Sequence, residues 1–292
     1  MYKKKIEQYI EAHKQEMLDD ICALCSINSE RSAYQEGDPF GEGPSRALAQ
    51  ALKMAEEYGF SINNYDNYVG TADLNDGEHQ LDILAHLDVV PAGEGWTVTQ
   101  PFEPIVKDGK LYGRGTADDK GPAVAALYAM RAVKELGIPV TKNVRLILGT
   151  DEECGSSDIK YYYSQEKEAP MTFSPDAAYP LVNTEKGRFP GHFTAKFACS
   201  DALPKLVSIQ AGTKVNVVPG KAKAVVEGFT ADVLETAAAE TETETGIRFD
   251  FAVEGAVTTV TATGIGAHAS TPEVGNNALT GLLVFLGKLA FA

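Results

Sequence analysis

Apolar residues return at near-helical spacing through Ile6, Ile10, Met17, Ile21 and Leu24, which predicts one amphipathic helix from about Lys3 to Cys25. A second helix is predicted from about Pro44 to Tyr58, and the polar, glycine-bearing stretch between them, about 28 to 43, reads as a loop. The pattern then becomes extended, with strands predicted over about 62 to 74 and about 81 to 86. Asp108-Gly109 between extended runs marks a hairpin around Lys107 to Lys110. The Ala-, Leu- and Met-rich stretch from about Gly121 to Leu136 reads as a buried helix. A strand over about 143 to 149 and a helix after Ser156 complete a βαβ-like pattern, so the fold class is α/β.

The character changes near Glu185-Lys186-Gly187. Strands are predicted over about 192 to 199, 206 to 211, 222 to 227 and 258 to 263, with helices over about 232 to 245 and after Gly275. This second α+β unit puts a domain boundary near residue 186, separating 1–186 from 187–292. No internal repeat is evident.

Charge narrows the function. The 292 residues carry 41 acidic against 26 basic side chains, a net charge of −15, which argues for a soluble protein and against a nucleic-acid partner. No apolar h-region follows Met1-Tyr2-Lys3-Lys4-Lys5, and the apolar stretch near Gly281 to Ala292 is too short to span a bilayer, so no membrane partner is expected. Four cysteines (Cys22, Cys25, Cys154, Cys199) are too few for a disulfide framework in a chain of this length, and a reducing cytoplasm fits them. Cys22-x-x-Cys25 has the spacing of half a zinc site or a redox pair. It lies inside the first helical pattern with no second pair to complete it, which favours a packing role.

Chemistry collects where strands should end. His86-Leu87-Asp88 follows Leu81-Asp82-Ile83-Leu84-Ala85. Asp151-Glu152-Glu153 follows the strand through Leu148, and Asp118-Asp119-Lys120-Gly121 opens a helix. Ser174-Pro175-Asp176 adds another carboxylate. In an open α/β sheet ligands gather beyond the carboxyl ends of strands. Alternate strand residues share a side, so His86 and Asp88 can point together. One imidazole and several carboxylates converging there can hold divalent cations, leave a glutamate as base and make a nucleophile of water. Taken singly, each motif has a plainer account. Asp118 or Asp119 can be a helix cap, Glu152-Glu153 a solvated turn, and Asp176 ordinary turn chemistry.

In this order and spacing the motifs resemble the M20 family of zinc aminoacylases and dipeptidases, most closely its bacterial, carnosinase-like dipeptidase branch. The resemblance rests on His86 to Gly93, Gly113 to Pro122, Asp151 to Ser157 and Ser174-Pro175-Asp176, with Pro91-Ala92-Gly93-Glu94-Gly95-Trp96 as the part specific to that branch. It implies a zinc-exopeptidase-like catalytic domain with a mixed sheet flanked by helices, plus an α+β lid. It also implies two zinc ions per intact site, with manganese or cobalt as substitutes. His86 and Asp176 then resemble ligands of one zinc, Asp118 the bridging carboxylate and Glu153 a ligand of the other. Glu152 resembles the general base and Asp88 its support, and the Asp118–Asp119 bond is expected to be cis. In the lid, His268 within Gly264 to Pro272 is similar to a histidine that touches the scissile carbonyl, and Asn216 matches another position on the substrate side. Without the resemblance, His268 is a solvated loop histidine.

The resemblance implies a dipeptide substrate. An N-acyl-amino-acid amidohydrolase of the same family and a non-catalytic metal-binding fragment are the alternatives. Members of the family run longer, with a further zinc-ligand histidine and a substrate-binding arginine, and no histidine follows His268 here. The expectation is therefore a truncated chain with an incomplete lid, little activity, and self-association through Leu282, Leu283, Phe285 and Leu286.

Overall fold

The computed structural model describes residues 2–292 apart from Glu94, Leu181, Glu185, Arg188 and 197–199. The chain forms two compact units, Met1–Val182 and Asn183–Ala292.

The first unit opens with α1 (Lys3–Ala12) and α2 (Lys14–Cys25), two helices where the pattern predicts one. The break is at His13, whose ring stacks on Tyr9 at 4.0 Å while Nδ1 lies 2.8 Å from the Tyr9 carbonyl. His13 itself departs from helical geometry, with φ of −104° and ψ of 9°, while its N–H still reaches the Tyr9 carbonyl at 3.1 Å. Next comes α3 (Glu42–Glu57), which buries Ala47, Leu48, Ala51, Leu52 and Ala55. The strand predicted over about 62 to 74 is instead a hairpin of β1 (Ser61–Tyr65) and β2 (Val69–Asp73). Asp66 and Asn67 turn it with φ of 50° and 59°, a conformation that short polar side chains tolerate.

After β3 (Glu78–His86), the Asp108-Gly109 turn joins β4 (Ile105–Lys107) to β5 (Lys110–Tyr112), as the sequence predicts. Then follow α4 (Lys120–Glu135), β6 (Lys142–Gly149), α5 (Ser157–Tyr162) and β7 (Met171–Phe173), the last of which the pattern does not predict.

The sheet order is β1-β2-β6-β3-β7, antiparallel as far as β6 and parallel from β6 through β3 to β7. The chain leaves β3 for β6 on one side and returns to β7 on the other, so the strand order reverses at β3. Crevices at the carboxyl ends of strands open at such points. One sheet face packs Ala72, Ile83 and Leu146 against Leu24, Leu48, Leu52 and Leu127 of the helices. The other packs Val69 and Ile147 against Tyr162 of α5. The result is a mixed sheet flanked by helices.

In the second unit, β8 (Lys205–Ala211), β9 (Val217–Val218) and β10 (Lys221–Glu227) precede α6 (Ala231–Thr245). Then come β11 (Arg248–Glu254), β12 (Val257–Thr263), β13 (Ala267–His268) and α7 (Ala278–Gly287). Four strands make an antiparallel sheet in the order β11-β12-β10-β8. Burial alternates along β12, as expected of a sheet with one covered face. Leu234, Ala238, Leu282 and Phe285 of α6 and α7 pack with Ala224, Val226 and Val260. β11 is an addition to the predicted strands. The strand predicted over about 192 to 199 is absent from 192–196, which are exposed and unpaired with any strand, and 197–199 lie outside the described residues. Among the described residues no helix is long and apolar enough to cross a membrane.

Candidate metal centre

The centre is built where β3, β6 and β7 end. His86 is the last residue of β3, paired in register with Gly149 of β6, and the Leu87 N–H donates to the Gly149 carbonyl at 2.9 Å. The imidazole is 4% exposed. Its Nδ1 lies 3.0 Å from the Asp88 carbonyl, an arrangement in which Nδ1–H donates and Nε2 is turned outward. That Nε2 lies 3.1 Å from Asp118 Oδ1 and 3.4 Å from Asp176 Oδ2. Asp176 comes from the loop after β7 and Asp118 from the turn before α4. Ligand atoms of His86, Asp118 and Asp176 lie within 4.8 Å of one another, and so do those of His86, Glu152 and Glu153. The structure thus brings these five sequence-predicted residues together, four carboxylates around the imidazole of His86.

A frame of buried carboxylates presents Glu152 and Glu153. Asp88 is 1% exposed and accepts from the Glu152 N–H and the Glu153 N–H, both at 3.1 Å, so it holds their short 3₁₀ turn by its backbone. Asp158 accepts from Thr150 N at 2.6 Å, Asp151 N at 3.0 Å and Ile159 N at 2.7 Å. Asp151 accepts from the Ser157 N–H and hydroxyl, and pairs with Arg31. The predicted loop after α2 is therefore part of the site's frame. Its Ser29 hydroxyl donates to the Leu87 carbonyl at 2.6 Å, and Glu30 bridges Val89 in parallel register. Sequence reading missed Arg31 and Asp158. An isolated arginine in a polar loop and an aspartate entering a helix carry no local signal of that role.

The Asp118–Asp119 peptide is cis. Asp119, not Asp118, stands at the N-cap position of α4, but its side chain makes no capping bond. It accepts instead from the His86 N–H at 3.1 Å, and its Oδ1 is buried without a partner. Lys120 is fully buried and its ammonium donates to the carbonyls of Leu24 and Ile27, at 3.0 and 2.8 Å. Gly121 lets the chain close: a Cβ there would sit 2.1 Å from the Thr116 carbonyl oxygen.

The electrostatics suit a cation. Burial opposes a charged His86, but its hydrogen bonds to Asp118, Asp176 and Asp88 outweigh that and raise its pKa well above the ordinary value. The same bond from His86 lowers the Asp118 pKa. Burial first, and then the charge of Asp118, pushes the Glu153 carboxyl up to about 7. Burial likewise pushes Asp119 up to about 7. Glu152 is raised by burial, with the Asp176 and Asp88 charges adding to it. Crowded carboxylates beside a single imidazole are a donor set of the kind that takes a borderline divalent cation.

His268 and Asn216 lie in the second unit and are neighbours there. His268 pairs with Val217 across β13 and β9, and the Ala269 N–H donates to the Asn216 carbonyl at 2.8 Å. Both of the cysteines in α2 are free, Cys25 buried and Cys22 partly so, in keeping with the packing role.

Comparison with known proteins decides the family. The sequence profile of peptidase family M20/M25/M40 matches residues 83–276. The chain belongs to this family. Its relatives include a β-Ala-Xaa dipeptidase of Lactobacillus delbrueckii subsp. lactis, 37% identical over 289 residues that make up 98% of this chain and 61% of that protein. Among solved structures, human carnosine dipeptidase 1 superposes with a TM-score of 0.52 at 27% identity, covering 59% of this chain and 40% of that one. The chain spans about three fifths of the length of the curated relatives it matches.

Proposed function

We propose that this M20-family chain carries the catalytic residues of a metal-dependent dipeptidase. The observation that carries the reading is the convergence of His86, Asp118, Asp176, Glu152 and Glu153 at the ends of β3, β6 and β7. Its support is a relative at 37% identity named for the hydrolysis of β-alanyl dipeptides.

In this reading His86, Asp118 and Asp176 hold one divalent cation, and Asp118 with Glu153 contributes to holding a second. Zinc is the expected metal, because the donors are nitrogen and carboxylate oxygen. When bound, the metal polarises the amide carbonyl and acidifies water. The chain's own residues supply the rest. Glu152 takes the proton from the attacking water and returns it to the leaving amine, a task suited to a carboxylate whose pKa burial has raised. Asp88 keeps Glu152 and Glu153 in register through their N–H groups. Asn216 and His268 are the proposed substrate-binding residues. Free thiols at Cys22, Cys25 and Cys154 accord with a cytoplasmic setting.

The test is hydrolysis by the purified protein, with and without added zinc, of β-alanyl and α-dipeptides against N-acyl amino acids. The dipeptidase reading expects zinc-dependent release of free amino acids from dipeptides. Preference for the acylated substrates would replace it with an amidohydrolase.

A further inference from the structure

We propose that Ser270 is a positioning residue that fixes His268 as its Nε2–H tautomer, making this histidine a hydrogen-bond donor rather than a base or a metal ligand. The geometry is local to the second unit. β13 ends at His268, and the chain turns at once, the Thr271 N–H donating to the His268 carbonyl at 3.0 Å. Within that turn the Ser270 backbone N–H donates to His268 Nδ1 at 3.2 Å, and the Ser270 hydroxyl oxygen lies 2.6 Å from the same nitrogen.

A backbone N–H can only donate, so Nδ1 must offer its lone pair. The hydroxyl hydrogen rotates to suit and donates to it as well. A neutral imidazole has one N–H, and with Nδ1 accepting it is on Nε2. From the other side the Lys186 ammonium donates to the Ser270 carbonyl oxygen, pinning the residue that carries both donors. The ring is exposed, so Nε2–H is open to an incoming acceptor.

The consequence is chemical. A protonated Nε2 cannot ligate a cation, and Nδ1 is already engaged. What His268 can offer is one N–H to an oxygen, the need of a carbonyl that gains negative charge during attack. The identity of that oxygen rests on the proposed dipeptidase function; the tautomer does not.

The experiment is long-range ¹H–¹⁵N NMR on the histidine-labelled chain, at a pH where His268 is neutral. His268→Gln assigns its signals among those of the five histidines. The expected spectrum shows Nδ1 as a bare acceptor and Nε2 as protonated. Ser270→Ala keeps the backbone donor and loses the hydroxyl, so the Nδ1 resonance should move and the minor tautomer should grow, with Ser270→Thr restoring the pattern. Where dipeptide turnover is measurable, kcat of Ser270→Ala should fall roughly three- to tenfold, the worth of one hydrogen bond, and recover in Ser270→Thr. A wild-type ring protonated on Nδ1, or ring signals indifferent to Ser270→Ala, would overturn the proposal. The expected spectra in a chain without dipeptidase activity would uphold it and remove the functional reading instead.

Discussion

At the residue scale, two adjacent glutamates take different work in the proposed function. Glu152 and Glu153 share one 3₁₀ turn and one backbone clamp, Asp88, yet Glu153 feels Asp118 more strongly than any other charge. That neighbour makes Glu153 the ligand in our reading and leaves Glu152 as the base. In a form that turns over dipeptides, Glu152→Gln should lower kcat by about 10²- to 10⁴-fold, the usual worth of a general base, at unchanged metal content. Glu153→Gln should lower metal content first, with activity partly recovered by excess zinc. Steady-state turnover with elemental analysis of the same samples separates the two. Near-normal turnover of metal-loaded Glu152→Gln would reassign the base.

At the element scale, the site depends on how closely the turn before α4 folds back on itself. Gly121 sits in the first turn of that helix, where a methyl group would meet the Thr116 carbonyl oxygen at 2.1 Å, a backbone atom with little room to yield. Gly121→Ala should therefore destabilise the protein by about 1–3 kcal/mol despite alanine's better helix propensity. It should also weaken zinc binding, because Asp118 lies in the segment that must move. Chemical denaturation and zinc titration check the two effects, and unaltered zinc affinity would show that the turn tolerates the shift. A second prediction concerns Asp158, which accepts three backbone N–H groups while fully buried. Asp158→Ala strands those donors and should cost about 2–4 kcal/mol, read as a lower denaturation midpoint.

These elements also show how far the sequence could be read. Strand ends were legible because apolar runs stop at polar chemistry, and Asp-Gly announced the β4–β5 turn. The break at His13 was not, since it is one residue's departure from helical φ and ψ within an unbroken apolar periodicity. The β1–β2 hairpin was missed because Asp66-Asn67 lacks the glycine that usually signals positive φ. The residues gathered at the candidate centre were named from motif order. Their frame was hidden because Arg31 reaches Asp151 across 120 positions of sequence. Long-range pairing of this kind leaves no periodic trace.

At the scale of the whole molecule, an acidic chain concentrates carboxylates at one end of its first sheet, and the metal-free fold must bear their repulsion. Burial first raises Asp119 and Glu153 to about 7 from ordinary values of 3.8 and 4.5, and His86 is also raised from 6.5. For each, the folded pKa exceeds the unfolded one. The stabilisation is then complete below the unfolded value and is lost as pH rises through the folded value. For the two carboxylates that window runs from about 4 to about 7, and the His86 contribution begins to decline from its unfolded value of 6.5 upward, in the same direction. Asp118 has the opposite sign, since its lowered pKa costs stability only in acid below 3.8, outside the window. The chelator-treated protein should therefore melt at a lower temperature at about pH 7.5 than at about pH 5 in the transition of the first unit. Saturating zinc should shrink or reverse that difference, because the cation binds carboxylates in their ionised form and gains affinity as they deprotonate. Scanning calorimetry at both pH values, with chelator and with zinc, reads the result directly. A chelated protein that grows more stable across this window, or a pH response that zinc leaves untouched, would mean that these carboxylates do not gather around a cation.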